Sequence, residues 1–311
     1  VGEFTEALAV YDQAIKLSPN DFRPYLNLAV SLWKKRCHAQ TLEAYKKVLE
    51  FSPNHPTALV DYLHVRSHVC DWEGAESTVE RILQNTFRIG KRVSPFALLN
   101  IPCGPEDHLE CARVWAKSLP RVIEKPFTYA PPRSGSKRGR IRVGYLSADY
   151  NQHATALLVT ELLERHDRER FEIFGYCFSN NDKSAIRQRI ITAFDRFEPI
   201  IHLSHADAAR RIHQDDIDVL VDLKGYTAGA RTEILVCRPA PIQVNYLGFP
   251  GTMGADFIDY IIADPFIAPW DQAQFYDEKI VHMPHSYQPN DTKRAFSDNI
   301  PTREDFGLPE N

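Results

Sequence analysis

The sequence predicts an α + α/β protein: a helical solenoid followed by an open, parallel α/β lobe. Three observations carry the prediction. A 34-residue period runs through the first part of the chain, where Ser18-Pro19-Asn20 recurs as Ser52-Pro53-Asn54 and Tyr11 recurs as Tyr45. From Ile141 onward, short Val- and Ile-rich runs alternate with helical patterns. Between these regions lies a stretch dense in Pro, Gly and Ser, which marks a boundary.

Composition agrees with two domains. The 311 residues are 43% hydrophobic and 25% charged, the balance of a globular chain longer than one ordinary core. No apolar run approaches the roughly 18 residues that span a bilayer, and no charged-then-apolar leader opens the chain, so a cytoplasmic setting is expected. Val1 stands inside a repeat rather than at a starting Met, so the chain is expected to be part of a longer one. A net charge of −4 provides no global basic field, which argues against nucleic acid as the main partner. The basic run Arg133, Lys137, Arg138, Arg140 and Arg142 sits among Pro131, Pro132, Ser134, Gly135, Ser136 and Gly139 and reads as a solvated linker. Cysteines 37, 70, 103, 111, 177 and 237 form no CxxC pair and have no His companion at zinc-ligand spacing, so reduced structural thiols are expected.

In chain order, the repeat extends to a third unit, with Ala7, Thr41 and Ala75 in register and Phe4, His38 and Trp72 likewise. Each unit begins with apolar residues at helical spacing (Ala7, Val10, Tyr11, Ala14, Ile15), followed by a Pro-Asn turn and a second helix such as Pro24–Lys35. This resembles tetratricopeptide repeats, with two full units and the first helix of a third over residues 1–83. Such a stack offers a concave surface to peptides or partner proteins; the alternative is a spacer that packs only on the next domain. Residues 84–139 read as a helical adaptor and linker with one helix over Glu106–Leu119. From 140 to about 300, strands are predicted at Ile141–Ser147, Phe171–Phe178, Pro199–Leu203, Ile217–Leu223, Ile242–Leu247, Asp259–Ile262 and Lys279–Met283. Helices are predicted at Ala156–Arg165, Ala185–Phe194 and Ala206–Asp215. Apolar strands separated by helices require a parallel sheet covered on both faces, a Rossmann-like lobe.

Ligands in such sheets bind beyond the carboxyl ends of the strands. Three loops are therefore expected at one edge: 147–155 after the first strand, 224–231 after the middle one and 248–254 after the strand at 242–247. None contains GxGxxG or GxxxxGK[ST], so dinucleotide and P-loop readings fail. Asp149 and His153 are candidates for an acid/base pair, because a carboxylate beside an imidazole holds its tautomer and stabilises its charged form. The alternative is a helix-capping Asp with an exposed His. Thr155 at the helix start could cap it, or could offer its hydroxyl and the free backbone N–H groups to a phosphate. His213 reads as part of a solvated polar face or as a contact to the helix C-terminus. His202, His205, His282 and His285 have no ligand-like grouping and are assigned no metal.

With these residues in view, the chain resembles the O-linked N-acetylglucosamine (O-GlcNAc) transferase family, in which tetratricopeptide repeats precede a two-lobed GT-B glycosyltransferase. RIRVGYLSADYNQHAT, ARRIHQDDIDVLVDLKGYTAGAR, RPAPIQVNYLGFPGTMGADFIDYIIAD and EKIVHMPHSY carry the likeness. The resemblance implies that 140–300 form the N-terminal half of a GT-B fold, with 301–311 opening a second lobe that this chain lacks and without which it should be inactive. It implies an inverting transfer of N-acetylglucosamine from UDP-N-acetylglucosamine to Ser or Thr of proteins, with no metal and no cofactor. By the same likeness His153 lies against the donor sugar as a candidate base, and Asp149 is a candidate proton relay. Thr155, Leu247 and Gly248 fall on the donor side, and Tyr226 on the acceptor side. Ala154 and Leu157 depart from animal members, which carry Pro and a second His there. A fucosyl-transferring branch using GDP-fucose, or a non-catalytic repeat scaffold, are the competing readings.

Overall fold

The computed structural model describes residues 2–89, 92–124, 127–129, 139–294 and 297–309. The linker residues Pro131, Pro132, Arg133, Ser134, Gly135, Ser136, Lys137 and Arg138 lie outside the described residues.

The repeat region is five helices: α1 (Gly2–Leu17), α2 (Phe22–Lys34), α3 (His38–Phe51), α4 (Pro56–His68) and α5 (Ala75–Ile89). The recurring Ser-Pro-Asn segments make the same turn twice: Asp21 N–H donates to the Ser18 carbonyl at 3.1 Å, and His55 N–H donates to that of Ser52 at 3.0 Å. Each turn ends on a helix cap, since the Asp21 carboxylate accepts from Arg23 N–H and the His55 ring accepts from Ala58 N–H. The second helices α2 and α4 thus start 34 residues apart. Ala29, Leu32, Ala44, Tyr45, Val48, Ala58 and Val65 form the core they share. The repeated Tyr45 buries its ring there and donates its hydroxyl to Asp61 at 3.0 Å.

Two further helices follow, α6 (Pro95–Leu98) and α7 (Pro105–Lys117). One side of α7 gives Leu109 and Cys111 to the repeats, beside Leu59, Leu63, Ile82 and Leu98. The other gives Ala112 and Trp115 to the core of the next unit, so α7 is a wall common to both.

That unit is a seven-stranded, all-parallel sheet. Its elements are β1 (Ile141–Ser147), α8 (Ala154–Glu164), β2 (Phe171–Cys177), α9 (Ala185–Ala193), β3 (Arg196–Pro199), α10 (His205–Gln214), β4 (Val219–Asp222), α11 (Glu233–Val236), β5 (Ile242–Tyr246), β6 (Tyr260–Ala263) and β7 (Lys279–His282). The order is β3-β2-β1-β4-β5-β6-β7, and β1 pairs with β2 through Leu146↔Tyr176 and with β4 through Leu146↔Asp222. The alternation of side chains puts Val143, Tyr145, Ile173, Val221 and Val244 on the face covered by α8 and α9. Leu146, Phe174, Tyr176 and Leu220 face α7, α10 and α11. Each fully buried aliphatic side chain contributes roughly 1.5–3 kcal/mol, so sheet and helices stabilise each other.

The strand predicted at Pro199–Leu203 is corrected: β3 is Arg196–Pro199, and 200–203 form a turn closed by Leu203 N–H to the Ile200 carbonyl at 3.1 Å. As an edge strand it needs no apolar pattern. Its Glu198 pairs with Arg211, and its Arg196 lies beside Glu172. His213 is likewise not left to solvent, because its ring stacks on Phe127 at 4.3 Å and meets Tyr129 edge-on.

Candidate active site at the sheet switch point

The three loops predicted to share an edge do so, because β1, β4 and β5 are adjacent and parallel. The chain reverses its direction of build between β1 and β4, so the crevice there is the topological switch point where open α/β sheets bind ligands.

The loop after β1 is fixed from beneath. The Tyr150 hydroxyl, fully buried, donates to the Tyr145 carbonyl, and the buried Arg187 guanidinium donates to the Tyr150 carbonyl at 2.6 Å and to the Ser179 hydroxyl at 2.9 Å. A three-residue turn over Asn151, Gln152 and His153 follows, closed at 2.7 Å, with Gln152 N–H held by the Asp182 carboxylate. It delivers His153 to the start of α8 as the N-cap residue. His153 Nδ1 accepts from Thr155 N–H at 3.2 Å. The cap is therefore neither Asp149 nor Thr155. Asp149 has a different partner: Lys224, arriving from the end of β4, places Nζ 3.0 Å from each carboxylate oxygen. Both side chains are buried, and Asp149 Oδ2 lies 3.8 Å from His153 Nδ1. The sequence placed Asp149 and His153 together, and the structure has them adjacent. His153 keeps 46% of its side chain exposed at the mouth of the crevice.

Lys224 has its own support. The Asp222 carboxylate accepts from Lys224 N–H at 3.1 Å and Gly225 N–H at 2.8 Å, shaping the loop after β4. Burial outweighs these two bonds and pushes its carboxyl up to about 7. A raised folded value means that the native state holds a proton which the unfolded chain releases near 3.8. The stabilising contribution is thus full below 3.8 and is lost as pH rises through about 7. Asp222→Asn is expected to flatten this part of the stability profile, measured as the denaturation midpoint against pH.

The loop after β5 is the most constrained. Gly248 N–H donates to the Tyr246 carbonyl at 2.9 Å across Leu247, whose φ of 70° is in the left-handed region. Gly248 passes so close to β4 that a Cβ there would fall 2.1 Å from the Leu223 carbonyl oxygen. Asn245 donates to the carbonyls of Phe249 and Gly251, and buried Glu278 accepts from the Thr252 hydroxyl at 2.6 Å and Met253 N–H at 2.5 Å. Burial raises the Glu278 carboxyl above the usual range. Tyr226 ties this loop to the one after β4: its buried hydroxyl donates to the Met253 carbonyl at 2.7 Å, and its ring packs edge-on to Trp115 and Phe249. A cavity of about 330 Å³ beside it is lined by Thr227, Gly229, Phe96, Trp115 and Arg92.

Asp149, His153 and Thr155 thus cluster after β1, Leu247 and Gly248 shape the loop after β5, and Tyr226 lies beneath a neighbouring cavity. Sequence reasoning assigned no role to Lys224, Asp222, Asn245 or Glu278. A Lys ending an apolar strand directly before a Gly was the available signal for the first. Among the described residues no group of His, Cys, Asp and Glu side chains is arranged to hold a metal ion.

Comparison with known proteins agrees with this architecture. Residues 2–35 match the family model described as TPR repeat, and residues 112–302 match the one described as Glycosyl transferase family 41. A probable UDP-N-acetylglucosamine--peptide N-acetylglucosaminyltransferase of Arabidopsis thaliana is 38% identical over 265 residues, which cover 80% of this chain and 27% of the relative. A UDP-N-acetylglucosamine--peptide N-acetylglucosaminyltransferase of Caenorhabditis elegans is 33% identical over 231 residues, covering 70% of this chain and 20% of the relative. In fold, the chain superposes on a mutant O-GlcNAc transferase of Thermobaculum terrenum with a TM-score of 0.69 at 21% identity, over 92% of this chain and 56% of that one. The chain therefore spans only a fifth to about a quarter of the length of these two sequence relatives. With the family match covering 112–302, from α7 through the whole sheet, this chain belongs to glycosyl transferase family 41.

Proposed function

We propose that the chain supplies the repeat region and one sugar-nucleotide-binding lobe of an enzyme that transfers N-acetylglucosamine from UDP-N-acetylglucosamine to Ser or Thr hydroxyls of proteins. The observation that carries this reading is the position of His153: half-exposed, at the switch point, on a helix N-terminus, with the Asp149 carboxylate behind its ring. In this reading His153 meets the reacting end of the donor as the candidate base, and Asp149, 3.8 Å behind its ring, is the candidate proton relay. Thr155 adds a hydroxyl that has no hydrogen bond among the described residues, at the positive end of the α8 dipole, where a diphosphate is favoured. Leu247 and Gly248 shape the donor-side wall. The cavity over Tyr226 lies on the acceptor side. Holding hydroxyl and anomeric carbon in line can supply about 7–11 kcal/mol of the barrier in the best cases, and fixed donors meet the charge on the departing diphosphate without a metal or other cofactor. The solenoid is the surface for protein or peptide acceptors. A cytoplasmic setting belongs to the same reading.

A nucleotide-sugar panel on the full-length protein tests the donor. Turnover with UDP-N-acetylglucosamine is expected, and turnover with GDP-fucose alone would replace the reading by the fucosyl branch.

A further inference from the structure

His153 Nδ1 faces two groups that demand opposite tautomers. Thr155 N–H, at 3.2 Å, is only a donor and requires a lone pair on Nδ1. Asp149 Oδ2, at 3.8 Å, is only an acceptor while ionised and requires a proton there. The outcome turns on how much of the Asp149 carboxylate is left for the ring, and Lys224 engages both of its oxygens at 3.0 Å inside the protein.

We infer that Lys224 is a positioning residue that fixes His153 as the Nε2–H tautomer by drawing both oxygens of Asp149 to itself, which leaves Oδ2 3.8 Å from Nδ1, beyond hydrogen-bond reach. Other charged groups around the cluster are already committed. Asp222 accepts from the Lys224 and Gly225 amides, Asp182 accepts from Gln152 N–H, and Arg187 directs Nη1 to the Tyr150 carbonyl and the Ser179 hydroxyl. None of them competes for His153 Nδ1 through a hydrogen bond among the described residues. In the resting protein the exposed ring therefore offers a hydrogen bond from Nε2 rather than a lone pair, and Nε2 becomes basic only if Asp149 turns from Lys224 toward Nδ1. The inference rests on the placing of His153 at the donor proposed above, but the arrangement of the proton does not depend on which sugar is transferred.

The test is nitrogen NMR of histidine-labelled full-length protein without nucleotide, at a pH well above the ordinary imidazole titration, with the His153 signals assigned by their loss in His153→Ala. The wild type should show a bare Nδ1 and a protonated Nε2. Lys224→Met should move the proton to Nδ1, and Lys224→Arg, which retains the charge, should leave it on Nε2. A folded Lys224→Met protein with Nδ1 still bare overturns the inference. So does a wild-type spectrum with Nδ1 protonated, which requires no variant to fold. Because no sugar nucleotide is present, failure here is separable from failure of the donor panel.

Discussion

Replacing His153 by alanine in the full-length protein is expected to lower the turnover number for sugar transfer by about 10²-fold or more, the range over which a positioned acid/base group acts. The same substitution removes the N-cap of α8 and should cost about 1 kcal/mol of stability, so activity and folding must be separated. His153→Asn does this: it keeps a capping oxygen near Thr155 N–H but no imidazole, and should recover stability without recovering transfer. Undiminished turnover in His153→Ala would remove His153 from the chemistry and leave the transfer to other groups.

The second large effect is structural. Gly248→Ala is expected to destabilise the lobe by on the order of 3 kcal/mol, because the added methyl meets the Leu223 carbonyl oxygen at 2.1 Å and a backbone atom cannot swing away as a side-chain tip can. The loop cannot retreat easily either, with Asn245, Glu278 and Tyr226 all fastening it. Gly229→Ala is the control. Its φ of 75° carries a cost of roughly 1 kcal/mol, but nothing lies within 4 Å of the new methyl. Denaturant midpoints should rank Gly248→Ala well below Gly229→Ala, and equal midpoints would show that the β4–β5 contact is slack.

The repeats were legible because a 34-residue period writes one turn twice, and the sheet was legible because buried parallel strands must be apolar on both faces. Strand β3 was displaced in the reading because an edge strand tolerates Arg196 and Glu198. The site was half legible. That the loops after three strands share an edge follows from parallel topology alone, and it brought Asp149 and His153 forward. Their detailed roles did not follow. Local preference favours Asp over His as a helix cap, yet here the carboxylate is drawn 75 residues along the chain to Lys224, and the imidazole takes the cap instead. That exchange depends on β4 lying beside β1, a fact of strand order that no local spacing records. Glu278 was hidden for the same reason: its partners Thr252 and Met253 lie about 25 residues earlier in the chain.

The wall shared by α7 has a consequence for how such proteins change over generations. Its Cys111 side closes the last repeat and its Ala112 side closes the lobe, while Arg113 grips Asp277 through two bonds and the backbone at 112–113 leaves no room for a side chain at Gly254. Repeats gained or lost ahead of α4 would lengthen or shorten the solenoid without disturbing this joint. Duplication upstream can thus change the length of the solenoid while the seating of its last repeat on the lobe is inherited intact.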